Sequence, residues 1–130
     1  MTMASEKILI VEDNPDNMKL FVSVLTISGY RVVQASSPHQ VLDLVAAERP
    51  DLILMDIQLP EMDGVTLMRQ VRERMADAGQ VIVALTAHAM QGDAEKYLDA
   101  GFDGYLSKPI SVRDFPGQVK AFLEKTGDNQ

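Results

Sequence analysis

Two kinds of hydrophobic spacing alternate along the chain. Short apolar runs rich in β-branched residues have the length and composition of strands: KILIV (7–11), RVVQA (31–35), DLILM (51–55), QVIVAL (80–85) and GYLS (104–107). Between them, apolar residues recur three or four apart: Met18, Phe21 and Leu25; Val41, Leu44 and Val45; Leu67, Met68 and Val71; Val119, Phe122 and Leu123. That spacing predicts helices with one buried face. The weakest helical pattern is in 91–100.

Boundary residues agree with this division. Asn14-Pro15 and Ser37-Pro38 read as an N-cap followed by proline at the first helical position. Met62 and Leu67 are spaced as a hydrophobic staple around a capping Asp63, and Gly29 and Gly101 stand where helices should stop in a left-handed residue. One conflict appears near the end. Ser111 to Asp114 resembles a capping box, yet Pro116-Gly117 follows at once, so the last helix is expected to begin late or irregularly.

Strands alternating with helices predict an α/β fold, with a parallel sheet covered on both faces. The expected form is doubly wound and five-stranded, order 2-1-3-4-5, as one domain over 1–130 with its core at about 6–125 and short flexible ends. In such folds the site lies outside the carboxyl ends of the strands, at the switch point beside the first strand.

Composition removes several classes of function. The chain has 130 residues, 46% hydrophobic and 24% charged, the balance of a globular protein. With no Cys it has neither disulfides nor thiolate metal sites, and its two His cannot build a zinc site alone. A net charge of −7 argues against nucleic-acid binding and favours cations or basic partner surfaces. No apolar run approaches a bilayer span, nor does a signal-peptide pattern precede the first strand, so a cytoplasmic protein without membrane insertion is expected. The methionines are spread along helical faces as core filler.

The topology gathers the ends of four strands at one edge: Glu12-Asp13, Asp56, Thr86 and Ser107-Lys108-Pro109. Each has a plainer reading taken singly. Glu12 and Asp13 precede a helix whose dipole they would offset, a strand commonly ends on Asp or Thr, and Lys108 alone is a surface charge. Together they form a carboxylate cluster that calls for a cation, and oxygen-only ligands suit Mg²⁺, for which Mn²⁺ can substitute. Asp13 and Asp56 are assigned as direct ligands, Glu12 through water, and the backbone carbonyl of Gln58 as a further oxygen. Asp56 can then attack phosphorus in line, with Lys108 and Thr86 stabilising the phosphoryl oxygens.

At this point the residues resemble a response-regulator receiver domain, the phosphoacceptor half of a two-component system. ILIVEDN (8–14), PDLILMDIQLPEMDG (50–64), ALTAHA (84–89) and GYLSKPI (104–110) carry the resemblance over essentially the whole chain. It implies the flavodoxin-like receiver fold, Asp56 as phosphoacceptor, Glu12 and Asp13 as the acidic pair for Mg²⁺, Thr86 as switch hydroxyl, Tyr105 as switch aromatic and a cis Lys108-Pro109 bond. It implies phosphorylation by a histidine kinase or histidine phosphotransfer protein. Output to a downstream protein would pass through the fourth and fifth helices and the fifth strand. The protein would be a switch that catalyses only its own phosphorylation and dephosphorylation. His88 would lie at the rim of the phosphoryl site, where it either acts on the hydrolytic water or is simply solvated; His39 is read as a surface residue. With no output domain, the wording most resembles stand-alone DivK-type regulators; receivers of hybrid histidine kinases use nearly the same phrases. The early Pro116-Gly117 departs from the family pattern.

Two other classes use related parts. A dehalogenase-type aspartate phosphatase needs a second Asp two residues after its nucleophile, where this chain has Gln58. A flavin binder of the same fold needs a Ser/Thr/Gly-rich phosphate loop where this chain has Glu12-Asp13-Asn14.

Overall fold

The computed structural model describes residues 6–59, 62–75, 80–87 and 93–127. Ten elements alternate: β1 (Lys7–Val11), α1 (Pro15–Ile27), β2 (Arg31–Ala35), α2 (Pro38–Glu48), β3 (Leu52–Asp56), α3 (Gly64–Arg74), β4 (Val81–Thr86), α4 (Asp93–Ala100), β5 (Gly104–Ser107) and α5 (Phe115–Gly127). The strands form one parallel sheet in the order β2-β1-β3-β4-β5, as expected.

The side-chain period of two along each strand separates two cores. Leu9, Val11, Ile53, Met55, Ile82 and Ala84 point to the face covered by Val41, Val45, Leu67, Met68, Val71 and Tyr97. Ile8, Ile10, Leu52, Leu54, Val83 and Leu85 point to the other, under Met18, Phe21, Leu25, Phe115 and Val119. Thus α2, α3 and α4 cover one face, and α1 and α5 the other. β3 and β4 are buried along their whole length, which is why their sequences read as unbroken apolar runs. Each such Leu or Ile contributes roughly 1.5–3 kcal/mol by leaving water.

Most boundary expectations hold. Asn14 Oδ1 accepts the Asp16 and Asn17 N–H groups, and Asp63 Oδ1 accepts that of Thr66. Met62 packs against the cluster that holds Leu67. Gly29 and Gly101 are left-handed, at φ 99° and 129°. Arg49 also ends α2 in the left-handed region, at φ 46°, with no glycine to announce it. The strand ends shift by one residue. Asp51 precedes β3 because its carboxylate is bound to the Lys7 N–H, and Gln80 precedes β4 with its amide on the Pro50 carbonyl. Asp56 and Thr86 are themselves the last strand residues, paired with Leu85 and Ser107.

The Pro116 conflict resolves at the start of α5. The Asp114 N–H donates to Ser111 Oγ, and a turn precedes the helix, which begins only at Phe115. Pro116 is then the second helical residue, where a missing N–H costs no helical bond.

Candidate functional site

The site is assembled at the carboxyl edge of the sheet. Glu12 follows β1 directly and its N–H donates to the Ala35 carbonyl at the end of β2, fixing its backbone between two strands. Its side chain is 1% exposed. Oε2 accepts the Asn14 N–H at 3.2 Å, while Oε1 faces the Lys108 ammonium at 2.9 Å and receives no hydrogen bond of good geometry. Asp13 is exposed beside it. Because Asn14 caps α1, capping does not account for Asp13.

Asp56 ends β3 and is 4% exposed. The Gln58 N–H donates to Oδ1 and the Lys108 ammonium donates to Oδ2, each at 2.9 Å. Each oxygen therefore has its own partner. Gln58 itself is exposed, and the described contact to Asp56 comes from its amide. The start of α3 lies so close to the end of β3 that a Cβ at Gly64 would lie 2.6 Å from the Asp56 carbonyl oxygen. Glycine is required there by close approach rather than by an unusual φ.

Lys108 follows β5, and its backbone N–H donates to the Thr86 carbonyl at 2.8 Å, tying the ends of β4 and β5. The Lys108-Pro109 bond is cis, as expected. The Lys108 ammonium reaches Glu12 and Asp56 together, at 2.9 Å each. Burial alone would lower the lysine pKa, but the two carboxylates outweigh it and hold the ammonium above its ordinary value. Burial pushes the Glu12 carboxyl up; Lys108 opposes this and the charge of Asp56 adds to it.

Carboxylate oxygens of Glu12, Asp13 and Asp56 lie within 4.8 Å of one another. One lysine cannot neutralise three carboxylates. An all-oxygen set containing a buried acceptor without a well-formed hydrogen bond fits a hard divalent cation such as Mg²⁺. A groove of 530 Å³ opens beside Glu12 and Asp13, lined by Met18, Gln34 and Ser36 among others.

Thr86 ends β4 and is 2% exposed. Its Oγ1 lies 3.4 Å from the Tyr97 hydroxyl on α4. Tyr105 lies on β5, half-buried against the core under α2 to α4, and borders a groove of 510 Å³ with Ser107, Pro109 and Gln118. His39 is exposed on α2, and His88 lies outside the described residues. Sequence reasoning passed over two participants. Gly64 is visible only as part of a turn, and Tyr97 sits in the least patterned helix, where its signal was being the lone aromatic of Asp93–Ala100.

Comparison with known proteins points to one family. A family model described as the response regulator receiver domain matches residues 8–120. The polar-differentiation response regulator DivK of Brucella anthropi is 42% identical over 118 residues, covering 91% of this chain and 96% of the relative. Among solved structures, the receiver domain of a Pseudomonas aeruginosa sensor histidine kinase is 36% identical, with TM-score 0.82, covering 93% of this chain and 99% of that one. That structure holds a magnesium ion coordinated in its active-site cleft. A receiver domain protein from Methanospirillum hungatei is 28% identical, with TM-score 0.86 over 98% of this chain and 100% of the other.

Proposed function

The chain belongs to the response regulator receiver domain family, and on that premise we propose that it is a phosphorylatable switch whose phosphoacceptor is Asp56. Its relatives include DivK regulators covered over almost their whole length. The carrying observation is the pairing of Asp56 Oδ2 with Lys108 at 2.9 Å, next to Glu12 and Asp13.

A histidine kinase or histidine phosphotransfer protein is the donor. An Asp56 carboxylate oxygen attacks phosphorus, the new P–O bond forms as the bond to the donor histidine nitrogen breaks, and an aspartyl phosphate results. Asp13 and Asp56, with Glu12 through water and the Gln58 carbonyl, would hold Mg²⁺ or Mn²⁺, which when bound offsets the charge of the phosphoryl oxygens. Lys108 transfers its attention from the free carboxylate to those oxygens, and the Thr86 hydroxyl donates to one of them. Rotation of Thr86 frees space toward β5 for the Tyr105 ring. The altered face of α4, β5 and α5 then binds a downstream protein. This is signalling rather than turnover of a substrate; Gln58 supplies no second carboxylate for hydrolysis.

Among the described residues no helix is long and apolar enough to cross a membrane. The kinase donor and a cytoplasmic setting are part of the same proposal. Asp56→Asn decides it. With acetyl phosphate and Mg²⁺ the parent should acquire a hydroxylamine-sensitive phosphoryl label and the variant none, both remaining folded. Equal labelling of the variant would move the phosphoacceptor elsewhere.

A further inference from the structure

Tyr97 and Thr86 bring two buried hydroxyls together. Tyr97 is 8% exposed and Thr86 is 2% exposed. Their oxygens are 3.4 Å apart, and Thr86 is the described hydrogen-bond partner of the phenol. A buried tyrosine hydroxyl needs a partner, so this contact matters to Tyr97 even though it is long. The ring itself is held in place. Phe102 meets it edge-on, with centroids 6.4 Å apart and planes at 88°, and both belong to the core under α2 to α4.

We propose that Tyr97 is a positioning residue that holds the Thr86 hydroxyl in the unphosphorylated protein and competes for it with the phosphoryl group. This rests on the reading that Asp56 is phosphorylated. Either hydroxyl can be the donor in this contact, and in both cases a rotation that turns Thr86 Oγ1 to a phosphoryl oxygen on Asp56 carries it away from the phenol. A long contact between neutral hydroxyls is readily exchanged for a short one to a charged oxygen. The exchange has a second consequence, because it takes from the buried phenol the contact described for it. Tyr97 is on α4, and α4 packs on β5, which carries Tyr105. Thr86 therefore addresses α4 through a hydroxyl as well as β5 through vacated space.

The test uses beryllofluoride with Mg²⁺ as the phosphoryl mimic, its binding midpoint read from the ¹⁹F signal of the bound fluorides. Tyr97→Phe keeps the ring and removes the competitor, so its midpoint should fall ~2- to 10-fold below the parent, the span expected for one neutral hydrogen bond. In a Thr86→Ala background the same substitution should leave the midpoint unchanged. A purely packing role for Tyr97 would shift both backgrounds alike, and that result would overturn the proposal, as would equal midpoints in parent and Tyr97→Phe. Independently of Tyr97→Phe, 3-fluorotyrosine at position 97 should change shift on beryllofluoride binding in the otherwise parental chain and change much less in Thr86→Ala. An unmoved signal in the parent also overturns it. If Asp56→Asn binds beryllofluoride as the parent does, or the parent binds none, it is the Asp56 reading that fails, and this inference falls with it.

Discussion

Lys108 Nζ stands 2.9 Å from Asp56 Oδ2 although the two are 52 positions apart in sequence, and it is equally close to Glu12. The ammonium is thus the cation already present among the carboxylates. Lys108→Met should leave two buried carboxylates facing each other and cost about 1–3 kcal/mol, less than a fully buried pair because the lysine is 17% exposed. The variant should gain more thermal stability from Mg²⁺ than the parent does, since the added cation replaces a lost one. Calorimetry with and without Mg²⁺ checks both, and a smaller Mg²⁺ effect in the variant would contradict the shared-charge account.

Asp13 is the exposed member of the cluster, so removing its charge perturbs no packing. Asp13→Asn should weaken Mg²⁺ binding while raising the stability of the metal-free protein by up to about 1 kcal/mol, the scale of exposed charge interactions. Titration calorimetry showing parent-like Mg²⁺ affinity would remove Asp13 from the ligand set.

Glu12 supplies a pH signature. Its folded pKa is raised above the ordinary 4.5, chiefly by burial, so the unfolded chain releases this proton first. Below pH 4.5 the group is protonated in both states and costs nothing. As pH rises through the interval up to the folded pKa, the metal-free protein loses stability, and above it the loss is constant. The stability gap between Glu12→Gln and the parent should therefore open in the variant's favour as pH rises through that interval. Urea melts in chelator across that range measure it; a gap independent of pH would assign the difference to packing.

Gly64 supports the site from behind. A methyl group there would meet the Asp56 carbonyl oxygen at 2.6 Å and the Ile57 Cα at 2.8 Å, and both are backbone atoms that cannot swing aside. Gly64→Ala should destabilise by roughly 1–3 kcal/mol and slow labelling of Asp56 by moving its strand end. Parent-like labelling in the folded variant would show that the carboxylate tolerates the shift.

Much of this architecture is legible in the sequence because its causes are local. Asn14, Asp63, Gly29 and Gly101 act on their own turns, and the apolar runs of β3 and β4 announce strands buried on both faces. The gathering of Glu12, Asp56, Thr86 and Lys108 follows from strand order alone. What could not be read depends on contacts between distant segments. Tyr97 meets Thr86 only once α4 has docked, and Gly64 is constrained by a backbone its own sequence neighbours do not include. Arg49 closes α2 in a conformation usually left to glycine, so its type concealed the stop.

The position of β5 at the sheet edge bears on how the protein is made. Synthesis delivers Glu12, Asp13 and Asp56 first, while the lysine that pairs with two of them arrives after β5 and is anchored to β4 through the Thr86 carbonyl. A nascent chain stopped before residue 108 therefore holds the carboxylates without their counter-charge. If Asp56 is the phosphoacceptor as proposed, competence to accept phosphate should therefore appear only when the final strand docks, and chains truncated before residue 108 should label with acetyl phosphate more slowly than the parent.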